Sequence, residues 1–158
     1  MIYKVKLVSQ TNALVLIMTL IVLGLGGVWL LLPSHGLQNE ALAILLVSVM
    51  AIIVYVLWQI FVTGRTEWTI DDKEINVVWT KKFILSNCKD IYLKWSEIES
   101  ISRGFDPHYY NLKIKLTSGD TMRFFHDSMT TRDDFEEMLY PLYQILNKIK
   151  TQPGNKLS

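Results

Sequence analysis

Two long apolar runs, residues 13–32 and 41–63, constrain the fold of this 158-residue chain more than any other feature. Neither run contains an Asp, Glu, Lys, Arg or His. An α-helix of about twenty residues is about 30 Å long, which matches the hydrocarbon core of a bilayer. A soluble helix of this length normally carries a continuous polar face, and these runs carry none. The runs therefore predict two transmembrane helices rather than a buried helical pair in a soluble protein.

A cleaved signal peptide is the other interpretation of the first run. The apolar region of such a peptide is about 7–15 residues long and is followed by a small-x-small cleavage site. The first run is longer, and the bulky Leu31 and Leu32 precede Pro33 where that site would lie. The sequence therefore favours a span that is retained.

The charged residues that flank the two runs predict their orientation. Lys4 and Lys6 precede the first run, Arg65 follows the second, and the link at residues 33–40 has neither Lys nor Arg. Because positively charged flanks stay on the cytoplasmic side, residues 1–12 are expected to be a cytoplasmic segment and the link a short external loop. The sequence thus predicts a multi-pass membrane protein with both termini in the cytoplasm.

Residues 64–150 have the pattern of a small cytoplasmic α+β domain. Lys4, Lys6 and Glu40 are the only charged residues before residue 64, and the cations and anions after that point balance. Because nucleic-acid binding needs a surplus or stripe of positive charge, no nucleic-acid partner is expected. Apolar and polar residues alternate in five short segments, which predicts antiparallel strands at residues 67–70, 74–79, 91–95, 111–117 and 121–125.

An amphipathic helix is predicted at the end of this domain. Apolar residues recur at helical spacing from Phe135 to Ile149. Thr131 and Asp134 suit an N-terminal cap, and Pro141 predicts a kink. The helix would bury its apolar stripe on the sheet, and residues 151–158 are expected to be a disordered tail.

The segment from Trp95 to Ile101 has the pattern Trp-x-x-Ile-x-x-Ile, and a strand pair turning at residues 118–120 and the terminal helix follow it. Together with the two preceding runs, this order resembles the bacterial pleckstrin-homology-like (PH-like) domains found behind paired transmembrane helices, including the YcxB-like group. The resemblance covers residues 66–150 and the predicted spans. It implies a strongly bent antiparallel sheet, or partly open barrel, capped by the C-terminal helix at the bacterial inner (plasma) membrane. It also implies a binding or scaffold role without shared catalytic residues.

The chain has no recognisable catalytic or cofactor motif. It lacks a Gly-rich phosphate loop, a GxSxG elbow and an HExxH pair, so we predict no catalytic, cofactor-binding or metal-binding residue and no enzymatic activity. Asp106, His108, His126 and Asp127 do not have the spacing of a metal site, and Cys88 has no histidine placed as its base. Three tryptophans are expected to pack in the core rather than to stack on a ligand: Trp68, Trp79 and Trp95.

The leading functional prediction is a non-enzymatic interaction or scaffold module anchored in the membrane. It would present a sheet edge, or the predicted loop at residues 103–110, to a protein partner or to a second copy of itself. The candidate contact residues are Arg103, Phe105, His108, Tyr109 and Tyr110. Arg65, Lys81 and Lys82 are expected to face anionic lipid of the bilayer. A small membrane immunity or envelope-stress factor that intercepts a toxin or peptide is the alternative.

Overall fold

Seven strands and a C-terminal helix form one of two compact units in the computed structural model, which describes residues 1–31, 40–106, 109–127 and 133–151. This sheet unit consists of Met1–Val8, Gly64–Lys82 and Ser86–Ser158. The helical unit consists of Ser9–Thr63 and Phe83–Leu85. The predicted α+β class with an antiparallel sheet is confirmed.

The strands are β1 (Ile2–Val8), β2 (Thr63–Ile70), β3 (Glu74–Lys81), β4 (Ile91–Lys94), β5 (Ile98–Asp106), β6 (Tyr109–Leu116) and β7 (Thr121–His126). Their order in the sheet is β4-β3-β2-β1-β7-β6-β5, so β4 and β5 are the two edges. The hairpins β2–β3 and β6–β7 turn at the predicted places, and Gly119 has the positive φ of 94° that its turn requires.

Strand β1 occupies the middle of the sheet, where the sequence predicts only a cytoplasmic segment at residues 1–12. No strand is predicted from the sequence at Ile2–Val8, and the predicted location of this segment stays a prediction. The backbone N–H of Ile70 donates to Met1 O at 3.0 Å, and Leu7 is the register partner of His126 in β7. Val5 and Leu7 are buried, and α3 packs against this strand.

The helical unit is an insertion between the paired strands β1 and β2. Helix α1 (Gln10–Leu31) follows β1, and α2 (Glu40–Leu57) continues into a π-helical turn, Trp58–Val62, that leads into β2. The Ser9 N–H donates to Val62 O at 2.9 Å, and Asn12 Nδ2 donates to Phe61 O at 2.8 Å. These bonds hold the entry and exit of the insertion together.

The helical unit contains one candidate membrane span among the described residues. Ile44–Val62 is long and apolar enough to cross a bilayer, whereas the apolar part of α1 that the structure describes with side chains, Gln10–Gly24, is shorter. The bounds of the helices also differ from the predicted spans, because α1 begins before residue 13 and α2 changes to a π-helix at Trp58. The structure thus supports one span where the sequence predicts two.

Helix α3 (Phe135–Thr151) is the predicted amphipathic helix, and it packs against β1 and β5. Its buried side chains are Phe135, Met138, Leu139, Leu142 and Leu146. Burial of each of these is worth about 1.5–3 kcal/mol, so the helix contributes much of the apolar core. The helix continues through Pro141, whereas the predicted cap Thr131 and the predicted tail after Thr151 lie outside the described residues.

The placement of β1 makes a prediction about the N-terminal residues. Val5 is 2% exposed and Ile2 is 66% exposed on the same strand. We expect Val5→Asp to reduce the free energy of unfolding by about 3–5 kcal/mol, because it buries an unpaired charge. Ile2→Asp should change it by less than about 0.5 kcal/mol. Urea unfolding of the purified chain, followed by tryptophan fluorescence, measures both, and equal effects would contradict a central β1.

Candidate functional site

Two adjacent carboxylates, those of Asp133 and Asp134, fasten the start of α3 to β1. The Lys6 N–H donates to Asp133 Oδ2 at 2.7 Å, and the Lys4 N–H donates to Asp134 Oδ2 at 2.8 Å. The Phe135 N–H also donates to Asp133, with 3.2 Å to Oδ1, as expected when an Asp caps a helix. The two carboxylates thus accept hydrogen bonds from backbone N–H groups of β1. Elsewhere in the sheet, carbonyl oxygens of a neighbouring strand accept such bonds.

Buried ionisable side chains reinforce this junction. His126 Nε2 lies 2.7 Å from Asp133 Oδ1, and Lys6 Nζ lies 3.1 Å from Asp127 Oδ2. The Lys6 and Asp127 side chains are 9% and 2% exposed. Burying two charges costs desolvation free energy that their attraction roughly offsets, whereas loss of one partner leaves an uncompensated charge. The cluster therefore connects β1, β7 and the start of α3 as a structural unit.

The hydrogen bonds at Asp133 change its acidity. Burial raises the pKa of the Asp133 carboxyl, but this is outweighed by the hydrogen bond from His126, the backbone N–H groups of Lys6 and Phe135, and the charge of His126. The pKa therefore lies below its ordinary value of 3.8. The carboxylate stays ionised at neutral pH and keeps its acceptor role at the start of α3.

His126 and Asp127 are two of the four residues whose spacing was compared with that of metal sites. In the structure His126 contacts Asp133 and Asp127 pairs with Lys6. The His126 ring also stacks on Phe135 at 4.2 Å, and its buried Nδ1 has no hydrogen-bond partner among the described residues. Those residues contain no group of three or more side chains suited to hold a metal ion. His108 and the side chain of Asp106 lie outside the described part of the chain.

Three cations lie in a row across β1, β2 and β3. Arg65 and Lys81 are register partners, and the hydrogen bonds at both ends of the β1–β2 pair place Lys6 opposite Arg65. Neighbouring strands are about 4.8 Å apart, so the three charges repel one another. Burial, then Arg65, then Lys6 lower the pKa of Lys81. The structure thus brings together Arg65 and Lys81 of the predicted membrane-facing set, and it leaves Lys82 exposed beyond the end of β3.

A cavity of about 360 Å³ opens beside this row. It is lined by Lys4, Val5, Lys6, Arg65, Thr66, Glu67, Thr80 and Asp133. Its charged lining mixes cations with two carboxylates, and one of those carboxylates already accepts three hydrogen bonds at the start of α3. The lining can hold water or a small anion.

The predicted partner loop is not a loop for most of its length. Arg103, Phe105 and Asp106 belong to β5, and the chain resumes with Tyr109 and Tyr110 in β6. Register pairs join Phe105 to Tyr110 and Asp106 to Tyr109. The structure thus brings four predicted contact residues onto two paired strands: Arg103, Phe105, Tyr109 and Tyr110. His108 and the side chains of Phe105, Tyr109 and Tyr110 lie outside its description.

Arg103 is the predicted contact residue whose side chain is described. Its guanidinium forms a two-pronged bond with the Glu136 carboxylate of α3, with N–O distances of 2.9 and 2.7 Å. Both side chains are exposed to solvent, so the pair is worth at most about 1 kcal/mol. Arg103 thus joins the β5 edge to α3.

The two edges of the sheet differ in length. β4 has four residues, whereas β5 has nine. A bulge lies between Ile98 and Ser100, where β5 has one residue more than β6. Natural proteins shorten or interrupt edge strands to prevent unwanted pairing. The regular part of β5 after the bulge, Ser100–Asp106, is therefore the longest regular strand edge on the described sheet.

The tryptophans follow the core prediction in part. Trp68 and Trp95 are buried, and Trp79 is half-buried. Trp68 contacts Phe124 edge-to-face at 4.9 Å and donates from Nε1 to Thr66 Oγ1 at 2.9 Å. The indole ring of Trp68 therefore belongs to the core.

Sequence reasoning missed Lys6 and Asp133 as site residues. The alternation of Lys4 and Lys6 with Val5 and Leu7 was the signal that could have identified β1.

Comparison with protein-family models, with curated proteins and with solved structures gives no match to this chain. The resemblance to membrane-anchored PH-like domains therefore stays a prediction.

The depressed pKa of Asp133 makes stability depend on pH at this junction. We expect Asp133→Asn to cost about 1–3 kcal/mol at neutral pH, since it weakens hydrogen bonds to a charged acceptor. The stabilisation by a carboxylate of lowered pKa is complete above the unfolded value, near 3.8, and is lost as the pH falls through the folded value. The difference between variant and wild type should therefore shrink in acid.

Unfolding midpoints in urea at several pH values measure this difference. Asp72→Asn, in the exposed β2–β3 turn, is the matched control and should leave the midpoint unchanged. A deficit for Asp133→Asn that stays constant from neutral to acid pH would exclude the ionised carboxylate as the cause.

Proposed function

We propose that this protein is a non-enzymatic, membrane-anchored interaction module whose sheet unit binds an extended segment of a protein partner along β5. The observation that carries the proposal is the nine-residue edge strand. Every second residue of an edge strand directs its N–H and C=O away from the sheet. An extended peptide can pair with these groups and add a strand.

The chemistry of β5 supports this choice of edge. Ile98 and Ile101 direct apolar side chains into the core, whereas Ser102 is exposed and small. A small polar side chain lets another backbone approach without steric conflict. The bulge at Ile98–Ser100 limits regular pairing to the later part of β5, which contains the predicted contact residues Arg103 and Phe105. The other edge, β4, is too short to offer a comparable ladder.

Membrane anchoring by both helices is part of the proposal. α1 has 22 residues and α2 has 18, and α2 continues through a five-residue π-helical turn. At about 1.5 Å per residue, α1 is long enough to span a bilayer. The described parts of both helices expose many large apolar side chains, among them Val22, Leu23, Val47 and Ile52. Such an apolar surface is stable in lipid and unfavourable in water.

The insertion between β1 and β2 supports the proposed topology. Because the strand ends that bracket the helical unit are hydrogen-bonded, its entry and exit lie side by side. An even number of spans returns the chain to the same side. With Lys4, Lys6 and Arg65 next to those ends, we expect both termini in the cytoplasm at the inner membrane, as in the PH-like proteins that the sequence resembles.

Site-specific photo-crosslinking tests the β5 edge. We expect a photoreactive phenylalanine at Ser102 to form a crosslinked adduct in intact membranes, because a bound segment would lie within reach of this exposed side chain. The same residue at Tyr92, exposed on β4, is the matched control and should give none. Mass spectrometry identifies the adduct. An uncrosslinked protein at both positions, purified alone from membranes, would refute the proposed partner site.

Reporter fusions test the number of spans. A fusion at Gln38 should report the external side and a fusion at the C-terminus the cytoplasmic side. The second span lies between these two positions, so they should be on opposite sides of the membrane. An alkaline phosphatase and a fluorescent protein serve as paired reporters of opposite preference. If both positions report the same side, then α1 and α2 do not both cross the membrane.

A further inference from the structure

The connection between β3 and β4 has an exposed apolar tip. β3 ends at Lys81 and β4 begins at Ile91, and the tip is formed by Phe83, Ile84 and Leu85. Ile84 is 55% exposed and Leu85 is 60% exposed. Turns normally carry small or polar residues, since water surrounds them. Two large apolar side chains at such a position need an apolar environment outside the sheet.

The tip groups with the apolar helices and not with the sheet. Phe83–Leu85 belongs to the helical unit, although the residues on either side of it belong to the sheet unit. Leu85 helps to line an apolar groove of about 240 Å³ with residues of α1 and of the last turns before β2. The other lining residues are Asn12, Val15, Leu16, Thr19, Leu57 and Phe61.

The residues around the tip are cationic. Lys81 and Lys82 precede it and Lys89 follows it, and no Asp or Glu lies between Lys81 and Lys89. Apolar side chains flanked by Lys are typical of segments that lie in the interface of a bilayer. The apolar atoms enter the boundary between headgroups and acyl chains, and the ammonium groups attract anionic phosphates. This charge pattern matches a lipid surface.

We propose that the Phe83–Leu85 tip inserts into the membrane interface beside the helical unit, with Lys82 and Lys89 at the phosphates of anionic lipids. The inference rests on the proposed membrane anchoring and adds a third, shallow lipid contact to it. Leu85 of the tip lines the groove together with Leu57 and Phe61, so an inserted tip would extend the apolar surface of the helices.

Lipid quenching of a fluorescent label tests the inference on the full-length chain. Cys88, the one native cysteine, is replaced by Ser, and Ile84→Cys is labelled with a polarity-sensitive dye. The protein is reconstituted into vesicles of phosphatidylcholine and phosphatidylglycerol that carry nitroxides at shallow or deep acyl positions. Ser118→Cys, in the exposed β6–β7 turn, serves as the aqueous control, and Val22→Cys, exposed on α1, serves as the membrane control.

We expect the label at residue 84 to be blue-shifted and quenched severalfold more by shallow than by deep nitroxides, and the label at residue 118 to be unquenched. If residue 84 behaves like residue 118 while residue 22 is quenched, the inference fails and the anchoring stands. If residue 22 is also unquenched, the anchoring itself fails. A blue-shifted label at residue 84 that neither nitroxide quenches would mean that protein covers the tip, and this also overturns the inference.

A second variant separates insertion from mere proximity. Leu85→Asn in the labelled chain should reduce the quenching at residue 84 severalfold, because it removes apolar surface from the tip, whereas Tyr92→Asn on β4 should not. Unchanged tryptophan emission shows that each variant stays folded. Quenching that survives Leu85→Asn would contradict insertion of the tip.

Discussion

The antiparallel pairing of β1 with β2 is the interaction on which both units of this protein depend. It places the first strand of the chain in the middle of the sheet, where it buries Val5 and Leu7 and receives a hydrogen bond from Thr66 Oγ1 to Val5 O at 3.1 Å. The same pairing ends in the Ser9–Val62 hydrogen bond, which closes the base of the helical unit. Closing the long segment between β1 and β2 costs chain entropy, and the hydrogen bonds and burial of the paired strands offset this cost.

The other side of β1 depends on charged groups. Leu7 pairs with His126 of β7, and the backbone N–H groups of Lys4 and Lys6 donate to carboxylates at the start of α3. The start of α3 and the central strand β1 are therefore held in place by the same hydrogen bonds. The pair Lys6–Asp127 joins β1 to the end of β7 inside the same cluster. In the sequence Lys6 is one of the positive charges that flank an apolar run. In the structure it is a buried residue that pairs with Asp127.

The order of strands separates two surfaces of the sheet unit. β4 and β5 are at opposite ends of the order β4-β3-β2-β1-β7-β6-β5. The connection before β4 carries the apolar tip with its lysines, and β5 carries the long regular edge. The two ends of the sheet therefore differ in the chemistry of the residues near them. Arg103 of β5 pairs with Glu136 and thereby links this edge strand to α3.

Local patterns in the sequence determined the elements whose signal lies within a short window. The alternation around Trp68 and Ile75, the turn at Gly119 and the helical spacing after Phe135 each predicted the element that forms, because side-chain periodicity and turn residues act locally. The two apolar runs predicted α1 and α2, and Ile44–Val62 is a candidate membrane span among the described residues.

Tertiary structure alone decided the position of β1 and the extent of β5. β1 pairs with a strand more than sixty residues away, and a seven-residue alternation beside a long apolar run gives no sign of such a partner. Gly104 and Pro107 suggest a loop, but Gly104 lies in β5 opposite Asn111, whose side chain fills the space that a Cβ would need. The sequence by itself determined which segments are helical or extended. Which strands are neighbours, which edge is open and which charges are buried followed only from long-range packing, because those contacts join residues far apart in the chain.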